Sequence, residues 1–102
     1  MTDPAEQLQA LYIAGFELET FERYPKAVAI VRGECIALLV PGPDGLQILG
    51  PPGWKIGAEL AVLTTVAGRR VFQFKQQMLE ATEERQSALQ AFREDLLQVI
   101  RN

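Results

Sequence analysis

Two rhythms of apolar and polar residues run along this chain, a helical one near each end and a strand-like one between. After Asp3 and Pro4, residues Leu8, Leu11 and Tyr12 recur at helical spacing. Asp3 suits the N-cap and Pro4 the first helical position, where a missing N–H costs nothing; Gly15 suits the residue just past the end. The spacing predicts a helix over Pro4–Ala14. Phe16–Thr20 then alternates apolar and charged positions, the pattern of a strand with one wet face, its carboxylates guarding a sheet edge.

The centre of the pattern is Ala27–Val40. Ala27–Val31 and Cys35–Val40 are short continuous apolar runs separated by Arg32, Gly33 and Glu34. Runs of this kind, rich in Val and Ile, mark strands buried on both faces, here paired as a hairpin turning at Gly33. Pro41–Gly45 is a dense turn signal, and Leu46–Leu49 reads as a short strand. Gly50-Pro51-Pro52-Gly53-Trp54 opens a loop expected to run to about Ala58. Glu59–Ala67 is apolar on both parities, with a helix as the competing reading. Gly68, Arg69 and Arg70 followed by Val71–Gln76 favour a hairpin, with Phe72 and Phe74 on one face. That second arm is open to continuation to Met78. Thr82 and the following acids resemble a helix start. Ala88, Leu89, Phe92, Leu96, Val99 and Ile100 form a helical stripe, so a helix is expected over Glu83–Arg101, with Gln76 as its earliest start.

The elements order as α-β-β-β-β-β-β-α, with connections too short for crossover helices. That order predicts an α+β fold in one domain over residues 1–102: a mostly antiparallel meander of five to six strands, with N- and C-terminal helices packed on it. Three strands are apolar on both sides, and two helices on one face leave the other uncovered. A homodimer through that sheet face would bury it; the rival solution is a sheet that curls into a partial barrel.

Composition narrows the chemistry. An apolar share of 48% suits a folded globule, and a net charge of −3 argues against a whole-molecule nucleic-acid binder. No apolar run approaches the ~20 residues of a membrane span. The start of the chain, Met1–Glu6, is acidic and lacks the pattern of a signal peptide. One cysteine and no leader pattern lead to the expectation of a cytoplasmic location. Histidine is absent, which removes Ser-His and Cys-His nucleophile pairs and nearly all zinc sites.

The candidate residues divide as follows. Cys35, in an apolar strand without a base, reads as a small buried hydrophobe rather than a nucleophile. Trp54, beside Lys55 on a proline-stiffened segment, reads first as a plug for the core and second as a ligand or partner anchor. Arg69 and Arg70 at a hairpin tip, with Arg32, Lys55 and Lys75 as helpers, would meet phosphate; a solvated turn is the simpler reading. Glu17, Glu19 and Glu22 lack a calcium-loop pattern and read as a solvated edge. Gly45–Gly50 has the glycine spacing of a phosphate loop, but Pro51 and Pro52 stand where Lys-Ser/Thr is required.

No catalytic constellation emerges, nothing asks for a cofactor or metal, and no family motif is present. The expectation is a non-catalytic dimerising or protein-interaction domain. The alternative is a small-molecule site between sheet and helices near Trp54, Tyr24 and Phe72. An enzyme would have to work with Lys55, Arg69 or Tyr24 in place of histidine.

Overall fold

The computed structural model describes residues 3–101, so the leader reading of Met1–Glu6 falls partly outside the described residues. Helix α1 spans Pro4–Ile13, with the Asp3 carboxylate accepting from the Ala5 N–H at 2.9 Å. It ends through Ala14 N–H donating to Ala10 C=O, while Gly15, at φ +99°, turns the chain so that Phe16 N–H reaches Leu11 C=O. This is the expected helix with its expected caps.

Eight strands follow: β1 (Glu17–Thr20), β2 (Val28–Arg32), β3 (Cys35–Gly42), β4 (Gly45–Ile48), β5 (Gly53–Ile56), β6 (Glu59–Val66), β7 (Arg69–Phe74) and β8 (Gln77–Glu80). All pairings are antiparallel, in the order β1-β2-β3-β5-β6-β7-β8, with β4 also on β3. The sheet is a curled half-barrel. The expected α+β architecture is present, but the count of five to six strands falls short, for two local reasons.

First, the loop expected over Gly50–Ala58 contains β5. The prolines occupy only the bend between β4 and β5, where Gly50 adopts φ +72°. Long β3 offers one edge to both neighbours: Leu39–Gly42 pairs with β4, and Cys35–Ile36 pairs with β5. Second, the chain neither continues as a strand to Met78 nor begins a helix at Gln76. It turns at Lys75-Gln76, and β8 returns along β7, with Phe74 opposite Gln77. Lys75 supplies a positive φ of 54°, an uncommon demand on a non-glycine residue that sequence pattern does not announce. Helix α2 then runs over Glu83–Arg101, its first turn capped by Thr82, whose Oγ1 accepts from Arg85 N–H at 3.2 Å.

Alternation along β2 and β3 builds two apolar clusters. One, under the helices, gathers Leu11, Phe16, Ile30, Ala37, Leu39, Trp54, Phe72, Leu89, Phe92 and Leu96. The other gathers Phe21, Ala27, Ala29, Val31, Ile36 and Leu38. Strands β2 and β3 are therefore buried on both sides, as expected, but β6, the third strand apolar on both parities, is not: Val62 and Val66 lie exposed along it. The second face is covered within the chain itself: Phe21 and Ala27 from the β1–β2 connection join its cluster. Two ion pairs tie distant segments together beside it, Lys55 of β5 to Glu19 of β1 at 3.0 Å and Arg23 of the β1–β2 connection to Glu59 of β6 at 3.5 Å. Curling, rather than a bare face awaiting a partner, solves most of the burial problem.

No described helix is long and apolar enough to cross a membrane.

Candidate functional site

Trp54 is fixed by its strand. Opposite Cys35 on β3 and Ala61 on β6, it points into the first cluster and is 6% exposed. Its ring stacks on Phe72 at 5.1 Å, and the indole N–H donates to a Glu34 carboxylate oxygen at 2.9 Å. Preceding Gly53 leaves no room for a side chain, since a Cβ there would run into the Ala61 carbonyl. The plug role of Trp54 is thus visible, and its polar edge is already satisfied.

A cleft of about 530 Å³ opens beside it, lined by Cys35, Trp54, Ala88, Ala91 and Phe92 with Arg32, Glu34, Glu84 and Arg85 around them. Arg32 lies 5.0 Å over the Phe16 ring and donates to Asp95 at 2.9 Å; Arg85 donates to the Glu80 carbonyl at 2.7 Å. Burial pushes the Cys35 thiol up from its ordinary pKa, with nearby Arg32 opposing and Glu34 reinforcing the shift. A protonated, 4% exposed thiol is a poor nucleophile.

Tyr24 is elsewhere. It stacks on Phe21 of the second cluster at 6.1 Å and does not join Trp54 and Phe72. With Phe21, Leu38, Leu49, Leu60, Val62 and Phe74 it walls a groove of about 400 Å³, flanked by Arg23, Pro51 and Glu59. Three large apolar side chains on this groove stay exposed: Tyr24 at 47%, Leu49 at 39% and Val62 at 41%. Arg23 lies 4.9 Å over the Phe74 ring, and the Glu59 oxygen nearest Arg23 is buried without a hydrogen bond. This groove was not legible in sequence as a unit, because its walls come from the β1–β2 connection, the β4–β5 bend, β6 and β7.

The basic residues do not gather at one hairpin tip. Lys55 is held by Glu19 and Arg32 by Asp95, while Lys75 lies against Phe74 at 5.4 Å. Arg69 and Arg70 start β7 on alternate sides of the strand, both exposed. Arg70 lines a cleft of about 400 Å³ with Arg93, Gln86 and Gln90 over Pro51, Pro52, Val62, Leu63 and Leu89. Two further surface clefts involve Glu19 and Glu22 beside Arg23, and Glu17 and Glu19 beside Tyr12. Among the described residues no three His, Cys, Asp or Glu side chains gather as metal ligands. Gly45–Ile48 is strand β4, and Gly53–Ile56 follows as another strand, so no helix N-terminus meets the glycine pair.

Sequence reasoning missed Gln7, the buried polar residue of the helix layer. At 2% exposure, its Oε1 accepts from Leu46 N–H at 2.7 Å and its Nε2 donates to the Ile100 carbonyl at 2.6 Å. One amide therefore joins α1, β4 and the end of α2. A glutamine on a helix with apolar neighbours at i+1 and i+4 is the only sequence signal, and a weak one.

Comparison with protein-family models, with curated proteins and with solved structures finds no match to this chain.

Proposed function

We propose that this chain is a non-catalytic cytoplasmic interaction module that pairs with a second copy of itself through the groove of Tyr24, Leu49 and Val62. The observation that carries the reading is the exposure of three large apolar side chains around one apolar groove beside the second cluster. Scattered exposed hydrophobics need no explanation, but a contiguous set around a hollow favours a partner. A two-fold contact brings the same patch from both copies together, so the patch must complement itself. This one carries both knobs (Tyr24, Leu49) and a hollow, and both charges (Arg23, Glu59), so neither copy meets an uncompensated like charge. A standard interface takes roughly 800 Å² from each partner, about one-eighth of the 6598 Å² this chain exposes.

The experiment that locates the contact is isotope-filtered NMR on a mixture of carbon-13-labelled and unlabelled protein. Cross-peaks between the Tyr24 ring of one copy and the Leu49 or Val62 methyls of the other are expected. A dimer whose intermolecular cross-peaks arise elsewhere, or a sample with none, contradicts the proposal.

A second reading is a small-molecule site in the cleft beside Trp54, whose volume lies in the range of ligand pockets. It ranks lower because the Trp54 indole N–H is already taken by Glu34, and Arg32 and Arg85 are each already engaged, with Asp95 and with the Glu80 carbonyl. A saturable change in Trp54 fluorescence on titration with a metabolite panel would favour it.

A further inference from the structure

Five clefts among the described residues differ in charge. Those around Trp54, Tyr24, Glu22 and Tyr12 each have at least one carboxylate in the wall. The remaining cleft, between β6–β7 and α2, has none: its walls present Arg70, Arg93, Gln86 and Gln90, and its floor is Leu63, Leu89 and the two prolines. In a chain of net charge −3, this is a local reversal of sign. Neither guanidinium forms an ion pair among the described residues, whereas Arg23, Arg32 and Lys55 all do. The two glutamines are tied back, Gln86 Nε2 to the Ala81 carbonyl at 2.7 Å and Gln90 Nε2 to Glu94 at 2.9 Å, which leaves the arginines as the unassigned donors.

From this arrangement we infer that the Arg70–Arg93 cleft binds an amphiphilic organic anion, a carboxylate or phosphate monoester head on a short apolar body. Planar guanidinium forks suit two-oxygen anionic heads, and the apolar floor removes the tail from water. Its volume of about 400 Å³ admits a small molecule. The two arginines are 23 residues apart in sequence and line one cleft because β8 returns the chain from β7 to the start of α2. Val62 and Pro51 line both this cleft and the Tyr24 groove, so the anion site shares a wall with the proposed dimer contact.

The test titrates the intact protein with hexanoate, hexyl phosphate, hexanol and inorganic phosphate, following amide NMR shifts. Hexanoate and hexyl phosphate are expected to bind, with shifts centred on Arg70, Gln86, Leu89 and Gln90, and to bind less well as salt is raised. Hexanol and inorganic phosphate, each lacking one half of the recognition, should bind at least several-fold more weakly. Arg70→Gln and Arg93→Gln are surface changes that leave the fold intact by circular dichroism, and each should weaken hexanoate about five- to tenfold. Arg→Lys at either position should restore part of the loss. Equal binding of hexanol and hexanoate, shifts centred elsewhere, or affinity indifferent to both substitutions would overturn the proposal. Inorganic phosphate binding as tightly as hexyl phosphate would overturn the apolar half of it.

Discussion

Gln7→Glu and Gln7→Leu form the most informative pair of perturbations. In the wild type the side-chain amide completes two long-range hydrogen bonds, accepting from Leu46 and donating to Ile100, in a site almost closed to water. Adjacent Gly45 is packed so closely, at φ +115°, that a Cβ there would stand 2.8 Å from Gln7 Oε1. Replacing Gln7 with leucine strands the buried Leu46 N–H, at about 1–3 kcal/mol. It also removes a partner from the half-buried Ile100 carbonyl, at about 0.5–1 kcal/mol. Added apolar contact offsets part of this, so a net loss of about 2 kcal/mol is expected, a large share of the ~5–15 kcal/mol available to a domain. Urea unfolding followed by Trp54 fluorescence reads it directly, because Trp54 is the sole tryptophan. At a slope of ~1–2 kcal/mol per molar urea, the midpoint should fall by about 1–2 M with an unchanged slope.

Gln7→Glu adds a sign. It keeps the acceptor for Leu46 but sets a carboxylate oxygen against the Ile100 carbonyl, where only a proton between them restores the bond. Burial and that carbonyl both disfavour the charged form, so the introduced carboxyl has a folded-state pKa above its unfolded value of ~4.3. A raised folded pKa means the fold holds the proton more tightly than the unfolded chain. The variant should therefore approach wild-type stability below about pH 4.3 and lose it as pH rises through the folded pKa. Wild-type-like midpoints for Gln7→Leu, or a Gln7→Glu variant whose pH profile parallels the wild type, would refute the reasoning.

Other outcomes follow from local geometry. Gly53→Ala drives a methyl into the Ala61 carbonyl and should cost about 2 kcal/mol or more, seen as a lowered midpoint and faster exchange of the β5–β6 amides. Its absence would mean that the two strands separate freely at Trp54. Native Cys35 should resist alkylation that is complete in urea. Because burial raises its folded pKa, stability should fall as pH rises past the unfolded value of ~8.5, and Cys35→Ala should remove that component. A pH profile unchanged by Cys35→Ala would contradict it.

Much of the fold was legible because its signals are local. Asp3-Pro4 and Gly15 frame α1, Thr82 and its acids start α2, and the β2–β3 hairpin turns at Gly33 as read. What escaped depends on contacts between distant segments. Strand β5 follows two prolines and looks like loop until β3 provides an edge long enough for two neighbours. Strand β8 requires Lys75 to adopt a left-handed backbone, a cost repaid only by pairing along β7. The uncovered face read from Ala27–Val40 was real as a pattern, but Phe21 and the curl of the sheet supply most of its cover. Of the candidate residues, Trp54 and Phe72 stack on each other in the core, and Tyr24 lies in a separate groove. Arg70 comes to share a cleft with Arg93 only through tertiary structure.

The claim that the Tyr24, Leu49 and Val62 groove pairs two copies is tested most directly by solution mass. Light scattering over a dilution series should give twice the chain mass for the wild type at high concentration. Leu49→Asp, a change at a 39% exposed position, should give a folded monomer throughout. A wild type that is monomeric at every concentration, or a Leu49→Asp protein that remains a dimer, would contradict the account.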